Sequence, residues 1–306
     1  MKRFLALFLV FVLLTGFSSC DKEPPVSSLA ESEITSEPST ISSEDEESQI
    51  SSLTDDESSK EVEFSYITST MDYFESYSFS LGSKEATVHY LFHEPIRDTG
   101  KDYPLVIYLH GLGTRVDSTQ LGATEQIVNK LINLENESEE YSVYTLVPST
   151  PLHNEGWWTD LQLSAFKSLI RELVKEYNID LERIYIMGIS MGGMVTCRLV
   201  NELSPYTFAA AVPMSGTQNL SHPDALHSTA FRIYHAANDT TVGVSCSRTL
   251  YQQLTASGHP NVEYFELDSS SHSAPIYAAF GDNYREFFEW LFAQRLPTGQ
   301  FSDFAW

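Results

Sequence analysis

Ser190 stands between Gly188 and Gly192 in the pattern Gly-x-Ser-x-Gly. An apolar, β-branched run precedes the first glycine, and a run with helical spacing follows the second. In a strand, turn and helix of this kind the turn is so sharp that only glycines fit beside it, and the serine hydroxyl is presented as a nucleophile. The helix directs its first N–H groups and the positive end of its dipole at the same point. The pattern predicts a nucleophilic serine beside a site that stabilises an oxyanion.

A serine nucleophile needs a histidine that takes its proton and an acid that holds the histidine in place. In one common arrangement the order along the chain is serine, acid, histidine, each at the carboxyl end of a strand. Asp239 lies in a short polar loop after the predicted strand 231–235, and His272 follows the predicted strand 262–267. We predict that Asp239 is the acid and His272 the general base. Asp224 is the weaker alternative for the acid, because no strand leads into it.

The other histidines fit the base position less well. His222, His227 and His259 do not follow strand ends in the required order, and His235 is expected to lie within its strand. His110 follows an early apolar strand. We expect its ring to order the loop after that strand by hydrogen bonding rather than to take part in the chemistry.

An early glycine-rich loop is expected to complete the site. Gly111, Leu112 and Gly113 follow the apolar run 105–109. The two glycines allow a substrate to approach the backbone closely, and we predict that they contact it. We also predict that the backbone N–H groups of Leu112 and Met191 form the oxyanion hole.

Two tryptophans mark a further loop at the predicted active-site edge. Trp157 and Trp158 follow a predicted strand in a glycine-containing segment, and we predict that at least one of them contacts substrate. Between Met214 and Phe231 the chain is too short for a large lid domain. The site is therefore expected to be open, which favours short or exposed esters over long-chain lipids.

The elements that must position these residues alternate between strand and helix. Apolar patterns predict strands at 62–70, 77–81, 86–92, 105–109, 141–147, 184–187, 208–214, 231–235 and 262–267, and helices at 123–134, 161–177, 244–256 and 284–296, with another after Ser190. Such alternation predicts an α/β fold with a mostly parallel sheet covered by helices on both faces. The catalytic domain is expected to span residues 62–306.

The amino-terminal residues predict export from the cytoplasm. Lys2 and Arg3 precede an apolar run, 4–14, that is too short for a comfortable membrane span. The segment 1–20 ends in small residues and Cys20, and it resembles a bacterial lipoprotein signal in which that cysteine is lipidated. An ordinary secretory signal is the alternative. We expect a lipid-anchored or secreted extracytoplasmic protein.

A second segment, residues 21–61, is dominated by Ser, Thr, Glu, Asp and Pro. It has too few apolar residues to offset the entropy of ordering it, so we predict a disordered acidic tether. The whole chain carries a formal net charge of −24. Such a charge attracts neither nucleic acid nor an anionic membrane surface, so the membrane is expected to be reached only through the lipid anchor. The sequence leaves open whether Cys197 and Cys246 form a disulfide.

Several of these motifs together resemble the α/β-hydrolase superfamily. They are IYLHGLG at 107–113, DLERIYIMGISMGG at 180–193, HAANDTTV at 235–242 and SSSH at 269–272. The chain looks closest to the secreted esterase and predicted-peptidase branch, similar to feruloyl esterases and polyhydroxybutyrate depolymerases. The resemblance implies a mostly parallel eight-stranded sheet and serine-dependent ester hydrolysis without a cofactor. Ala236 departs from the pattern, since relatives often carry glycine there.

The leading hypothesis is an extracytoplasmic serine carboxylic ester hydrolase that works through an acyl-enzyme. Its substrate would be a small-molecule or polysaccharide-linked ester, either short-chain or with an aryl or sugar group. A prolyl-oligopeptidase-like peptidase and an acyltransferase are alternatives within the enzymes. The alternative from another class is a non-catalytic binding lipoprotein that keeps the hydrolase scaffold.

Overall fold

The computed structural model describes residues 75–96, 99–112, 123–149 and 159–299. The predicted signal segment, the predicted tether and the predicted strand 62–70 lie outside these ranges. Among the helices of the described ranges, none combines the length and the apolar character needed to span a membrane.

The described residues form one sheet with helices around it. Its strands are β1 (Glu75–Leu81), β2 (Lys84–His93), β3 (Tyr103–Leu109), β4 (Tyr144–Ser149), β5 (Ile179–Ile189), β6 (Ala210–Met214), β7 (Ala230–Ala236) and β8 (Val262–Leu267). The α-helices are α1 (Ala123–Glu137), α2 (Asp160–Glu176), α3 (Met191–Glu202), α4 (Ser245–Ala256), α5 (Ala274–Phe280) and α6 (Tyr284–Phe292). Short 3-10 helices cover Glu139–Tyr141 and Pro223–Leu226.

The sheet has eight strands in the order β1-β2-β4-β3-β5-β6-β7-β8. β2 pairs antiparallel with both β1 and β4, and every other neighbouring pair is parallel. The predicted mostly parallel eight-stranded sheet is confirmed.

Two apolar layers cover the two faces of the sheet. All of β3 is buried, and successive side chains of a strand point to opposite faces. Leu105 and Ile107 therefore pack into the layer that contains buried residues of α2, α3 and α4. Val106 and Tyr108 pack into the layer formed with α1, α5 and α6. Because both faces are covered, the central strands are apolar runs without polar alternation.

The carboxyl ends of the parallel strands bring the predicted catalytic residues to one edge of the sheet. β5 ends at Ile189, directly before Ser190, and β7 ends at Ala236, shortly before Asp239. His272 lies in the loop after β8. This edge is where ligands bind in open α/β sheets.

The amino end of β5 holds the segment that follows α6. The guanidinium of Arg295 contacts Asp180 Oδ2 at 2.8 Å and Glu182 Oε2 at 2.9 Å. The backbone N–H of Leu296 donates to the carbonyl oxygen of Glu182 at 2.9 Å, and that of Gly299 donates to Glu182 Oε1 at 2.9 Å. β5 therefore leads into Ser190 at its carboxyl end and binds the segment after α6 at its amino end.

Candidate active site

Ser190 lies at a strained turn between β5 and α3. Its φ is +57° and its ψ is −118°, in a region that non-glycine residues rarely adopt. The surroundings maintain this conformation, because its N–H donates to the carbonyl oxygen of Met214 at 2.8 Å and its carbonyl oxygen accepts from Met194 at 3.1 Å. Strain of this kind costs about 1–3 kcal/mol and is concentrated at functional sites.

The glycines on either side of Ser190 permit close backbone contact. A Cβ placed on Gly192 would lie 2.1 Å from the carbonyl oxygen of Leu109, and one on Gly188 would lie 2.6 Å from the carbonyl carbon of Gly192. Both distances are far below van der Waals contact. β3, β5 and α3 therefore meet at the turn only because these positions lack side chains.

The loop after β3 lies against Ser190. A Cβ on Gly111 would lie 3.4 Å from both Ser190 Cβ and the carbonyl oxygen of Ile189. His110 is buried, and its Nδ1–H donates to the carbonyl oxygen of Gly111 at 2.6 Å, so the ring orders this loop. Leu112 follows with 56% of its surface exposed.

Met191 is the first residue of α3, so its N–H belongs to the unpaired first turn of that helix. The chain thus brings the loop that carries Leu112 and the amino end of α3 to the same serine. Whether both N–H groups bind an oxyanion stays a prediction. Gly113 lies outside the described residues.

Asp239 is held in its loop by backbone hydrogen bonds. The N–H groups of Thr241 and Val242 donate to Asp239 Oδ1 at 2.8 and 3.1 Å. Its other oxygen, Oδ2, is 2.7 Å from His272 Nδ1. Burial by itself raises the pKa of this carboxyl, but the hydrogen bonds from His272 and the two amides outweigh it and lower the pKa overall. Asp239 is therefore a carboxylate at neutral pH.

The contact with Asp239 sets the orientation of the His272 ring. A carboxylate only accepts hydrogen bonds, so His272 Nδ1 carries the proton in that contact and the neutral ring has its lone pair on Nε2. The side chain is 24% exposed, whereas the carboxylate of Asp239 is fully buried. The arrangement suits a base that receives a proton at Nε2 while its imidazolium is stabilised from behind.

Within the described residues, no hydrogen bond joins the Ser190 hydroxyl to His272. Such contacts are often long in the absence of substrate and shorten in the substrate complex. Asp224, the alternative acid, lies exposed in the 3-10 helix Pro223–Leu226. Of the two candidates, Asp239 is the one that contacts His272.

Trp157 and Trp158, predicted to contact substrate, and Cys20, the predicted lipidation site, also lie outside the described residues. These assignments stay predictions.

One neighbour of the site was missed from the sequence. His235 was placed correctly within its strand but was given no part in the site. Its Nε2 is 3.5 Å from Asp239 Oδ2, and both side chains are fully buried. The available signal was a polar residue at the end of an apolar strand, close before the predicted acid.

The described residues include two cysteines. Cys197 and Cys246 are buried and not disulfide-bonded. Burial raises the pKa of the Cys197 thiol to about 12, so it is not a nucleophile near neutral pH. No three His, Cys, Asp or Glu side chains within the described ranges group as metal ligands.

Comparison of the sequence with known proteins gives both a family and a relative. The family model described as Phospholipase/Carboxylesterase matches residues 96–278. The chain is 24% identical over 137 residues to feruloyl esterase B of Neurospora crassa. That match covers 42% of this chain and 44% of the relative, so the chain matches less than half of the relative's length.

Comparison of the fold gives similar solved structures. A thermostable esterase is similar with a TM-score of 0.61 and 27% identity, covering 74% of this chain and 64% of that one. A ferulic acid esterase from Anaeromyces mucronatus, solved with ferulic acid, has a TM-score of 0.51 and 17% identity, covering 77% of this chain and 93% of that one. The second likeness shows the fold alone. Together with the family match, these structures confirm the α/β-hydrolase fold expected from the sequence motifs.

Proposed function

We propose, because this chain belongs to the phospholipase/carboxylesterase family, that it is a serine-dependent carboxylic ester hydrolase. The observation that carries the proposal is the 2.7 Å contact between His272 Nδ1 and Asp239 Oδ2. It fixes a histidine at the sheet edge where Ser190 occupies its strained turn. Nucleophilic acyl transfer requires a nucleophile, a general base and an acid that orients the base, and Ser190, His272 and Asp239 suit these three roles.

The reaction begins when Ser190 Oγ attacks the ester carbonyl carbon and His272 Nε2 takes the hydroxyl proton. The tetrahedral intermediate collapses, the C–O bond to the alcohol breaks, and His272 returns the proton to the departing alkoxide. Water then attacks the acyl carbonyl carbon while His272 takes one of its protons. The bond from that carbon to Ser190 Oγ breaks, His272 returns the proton to Oγ, and the carboxylic acid is released. Asp239 stays ionised and stabilises the imidazolium in both halves of the cycle.

The negative charge on the carbonyl oxygen is stabilised by the backbone N–H groups of Met191 and Leu112. Gly111, which lies against Ser190, supports this assignment because it holds the loop beside the attacking atom. Loss of a single donor of this kind costs about 3–4 kcal/mol of transition-state stabilisation. Because both donors are backbone groups, the fold itself supplies this part of catalysis.

We propose small-molecule or polysaccharide-linked esters as substrates, either short-chain or with an aryl or sugar group. The likeness to feruloyl esterase B of Neurospora crassa supports an aryl ester. The short connection between β6 and β7 supports an open site, since it contains only the 3-10 helix Pro223–Leu226. The predicted positions of Trp157 and Trp158 suit the walls of such a site.

We further propose that the protein works outside the cytoplasm, anchored by lipid at Cys20. The support is the sequence of residues 1–20, with its basic start, apolar run and small residues before the cysteine. Radiolabelled palmitate fed to cells that express the chain should label the wild type but not Cys20→Ala. Equal labelling of wild type and Cys20→Ala would contradict lipidation at Cys20.

Hydrolysis of p-nitrophenyl esters of increasing acyl length, and of methyl ferulate, tests the enzyme assignment. Wild type should hydrolyse at least one of these esters, and Ser190→Ala should lose the activity. Ser257→Ala is a matched control, because Ser257 ends α4 at the opposite edge of the sheet and should leave turnover unchanged. Equal background rates in wild type and Ser190→Ala would favour a non-catalytic binding protein.

A further inference from the structure

His235 is a fully buried polar side chain in an apolar setting. It lies in β7, with buried residues on both sides of it in the strand. A buried imidazole without hydrogen-bond partners would be costly, so its two nitrogens must both be satisfied. Both are.

The two partners of His235 fix its tautomer. Nε2 is 2.9 Å from the carbonyl oxygen of Val242, which only accepts hydrogen bonds, so Nε2 carries the proton. Nδ1 is 2.7 Å from Ser247 Oγ, and in the neutral ring it accepts from that hydroxyl. The Nε2–H is directed at the loop that carries Asp239.

Within that loop, Val242 connects His235 to Asp239. The N–H of Val242 donates to Asp239 Oδ1 at 3.1 Å, while its carbonyl oxygen accepts from His235. The same nitrogen, His235 Nε2, lies 3.5 Å from Asp239 Oδ2, which is too long for a strong hydrogen bond. A residue within the strand thus holds the backbone of Val242, whose N–H in turn binds the carboxylate of Asp239.

We propose that His235 is a positioning residue for catalysis, which sets the direction in which Asp239 holds the His272 ring. The inference rests on the proposed function, since it concerns the acid of that site. His235 does not touch substrate and transfers no proton. Its contribution is to hold the Val242 backbone, whose N–H binds Oδ1 of Asp239 and so leaves Oδ2 facing Nδ1 of His272.

The charges around His235 are consistent with a neutral ring. Burial lowers its pKa, and the proton on His272 during turnover lowers it further, while the Val242 carbonyl, Asp239 and Glu266 oppose this shift. Burial prevails, so the ring stays neutral as His272 cycles between its two forms. A neutral partner leaves the full charge of Asp239 available to His272.

Three substitutions at His235 test the contacts of its two ring nitrogens one at a time. His235→Gln places an amide N–H near the Nε2 position and can keep the contact with Val242. His235→Asn reaches only as far as Nδ1 and can keep the contact with Ser247 alone. His235→Leu keeps neither.

The chain offers a matched control in His259. It is also buried, its Nε2 donates to the carbonyl oxygen of Leu226 at 2.9 Å, and its Nδ1 accepts from the N–H of Asn261 at 3.2 Å. Neither partner belongs to the proposed site. His259→Asn and His259→Gln should therefore lower thermal stability without changing the turnover of the folded protein.

The experiment measures kcat and KM for an ester that the wild type hydrolyses, with folded active sites counted by a fluorophosphonate. We expect His235→Leu and His235→Asn to lower kcat by about 10- to 100-fold, by analogy with the loss of partners that orient metal ligands. KM should stay within about twofold, because the lost contact acts in the transition state. His235→Gln should recover most of the lost kcat.

Equal kcat values for the Gln and Asn variants would overturn the inference, as would a kcat of His235→Leu within about twofold of wild type. If the Leu variant fails to fold, the Gln and Asn pair still decides the question. A wild type without turnover of any ester refutes the proposed function instead. In that case the rate at which the fluorophosphonate modifies Ser190 replaces kcat as the readout, with the same order of variants expected.

Discussion

The turn at Ser190 and the loop at Asp239 lie at the same edge of the sheet but differ in what constrains them. At the turn, Ser190 has a strained conformation, and the backbone of Leu109 leaves no room for a side chain on Gly192. At the loop, Asp239 accepts hydrogen bonds from two backbone amides and from His272. Backbone hydrogen bonds hold both regions, but only the first is also limited by excluded volume around its glycines.

The difference shows how each region should fail. A turn fixed by excluded volume tolerates the loss of atoms but not their addition, so a methyl group is the damaging change. A loop fixed by hydrogen bonds tolerates changes of shape better than the loss of a donor or acceptor, because buried polar groups are then left unpaired. The predictions below test this contrast, from the largest expected effect to the smallest.

Asp239→Asn should lower kcat by about 10⁴-fold, the loss known when a triad carboxylate becomes an amide. The amide carries no charge to stabilise the imidazolium and favours the wrong tautomer of His272. Folding should change little, since an amide oxygen still accepts from Thr241 and Val242. Initial rates on the best ester measure the effect, with Asp224→Asn as the control. A lost rate in Asp224→Asn together with a retained rate in Asp239→Asn would show that the acid is misassigned.

Gly192→Ala should destabilise the fold by about 3 kcal/mol, the upper part of the usual range for overpacking. The added Cβ would lie 2.1 Å from the carbonyl oxygen of Leu109, a backbone atom that cannot move independently. Urea unfolding followed by tryptophan fluorescence measures the change. Gly243→Ala is the matched control, because the nearest atom to its Cβ would be Ser245 Oγ at 3.6 Å. Similar midpoints for both variants would contradict steric control of the turn.

Ser190→Gly should stabilise the protein by about 1 kcal/mol, since glycine adopts a positive φ without the strain that serine bears. For a domain of this size the gain corresponds to a rise in Tm of about 2–4 °C. Ser190→Ala should show no such rise, because alanine keeps the Cβ that causes the strain. Calorimetry on the two inactive variants separates the strain from the loss of the hydroxyl. Equal Tm values would mean that the turn is relaxed.

The smallest effect should appear in acid. The pKa of Asp239 is lowered in the folded state, so its contribution to stability is present above the pKa of the unfolded state and is lost as the pH falls through the folded one. Wild type should therefore lose more stability than Asp239→Asn when the pH is lowered from about 5 to about 2, a window set by the ordinary pKa of Asp near 3.9. Urea midpoints at several pH values test this. Parallel curves would contradict a lowered pKa of Asp239 in the folded state.

The sequence predicted the fold because its signals there are local and strong. The apolar runs at β3 and β5 and the glycines beside Ser190 indicate strands and a tight turn from neighbouring residues alone. The predicted strand 141–147 was partly wrong, since its first residue, Tyr141, lies in a 3-10 helix that follows the capping hydroxyl of Ser138. A side chain bonding to a nearby backbone N–H overrode the β propensity of the run.

Other features depend on contacts that no local pattern encodes. The short helix α5 was not predicted, because a helix of seven residues gains its stability from packing rather than from propensity. His235 was not linked to the site for a similar reason. Its part depends on where Ser247 and the carbonyl oxygen of Val242 come to lie, and both positions follow from tertiary structure.

The contacts that the segment after α6 makes with the amino end of β5 bear on how the protein is handled in the laboratory. If the chain were cut directly after α6 and joined there to a tag, linker or display partner, Arg295 would be lost. The carboxylates of Asp180 and Glu182 would then have one cation fewer beside them. The strand they sit on is the one that presents Ser190. Fusion proteins should therefore be joined beyond Gly299, whose N–H makes the last described hydrogen bond to Glu182.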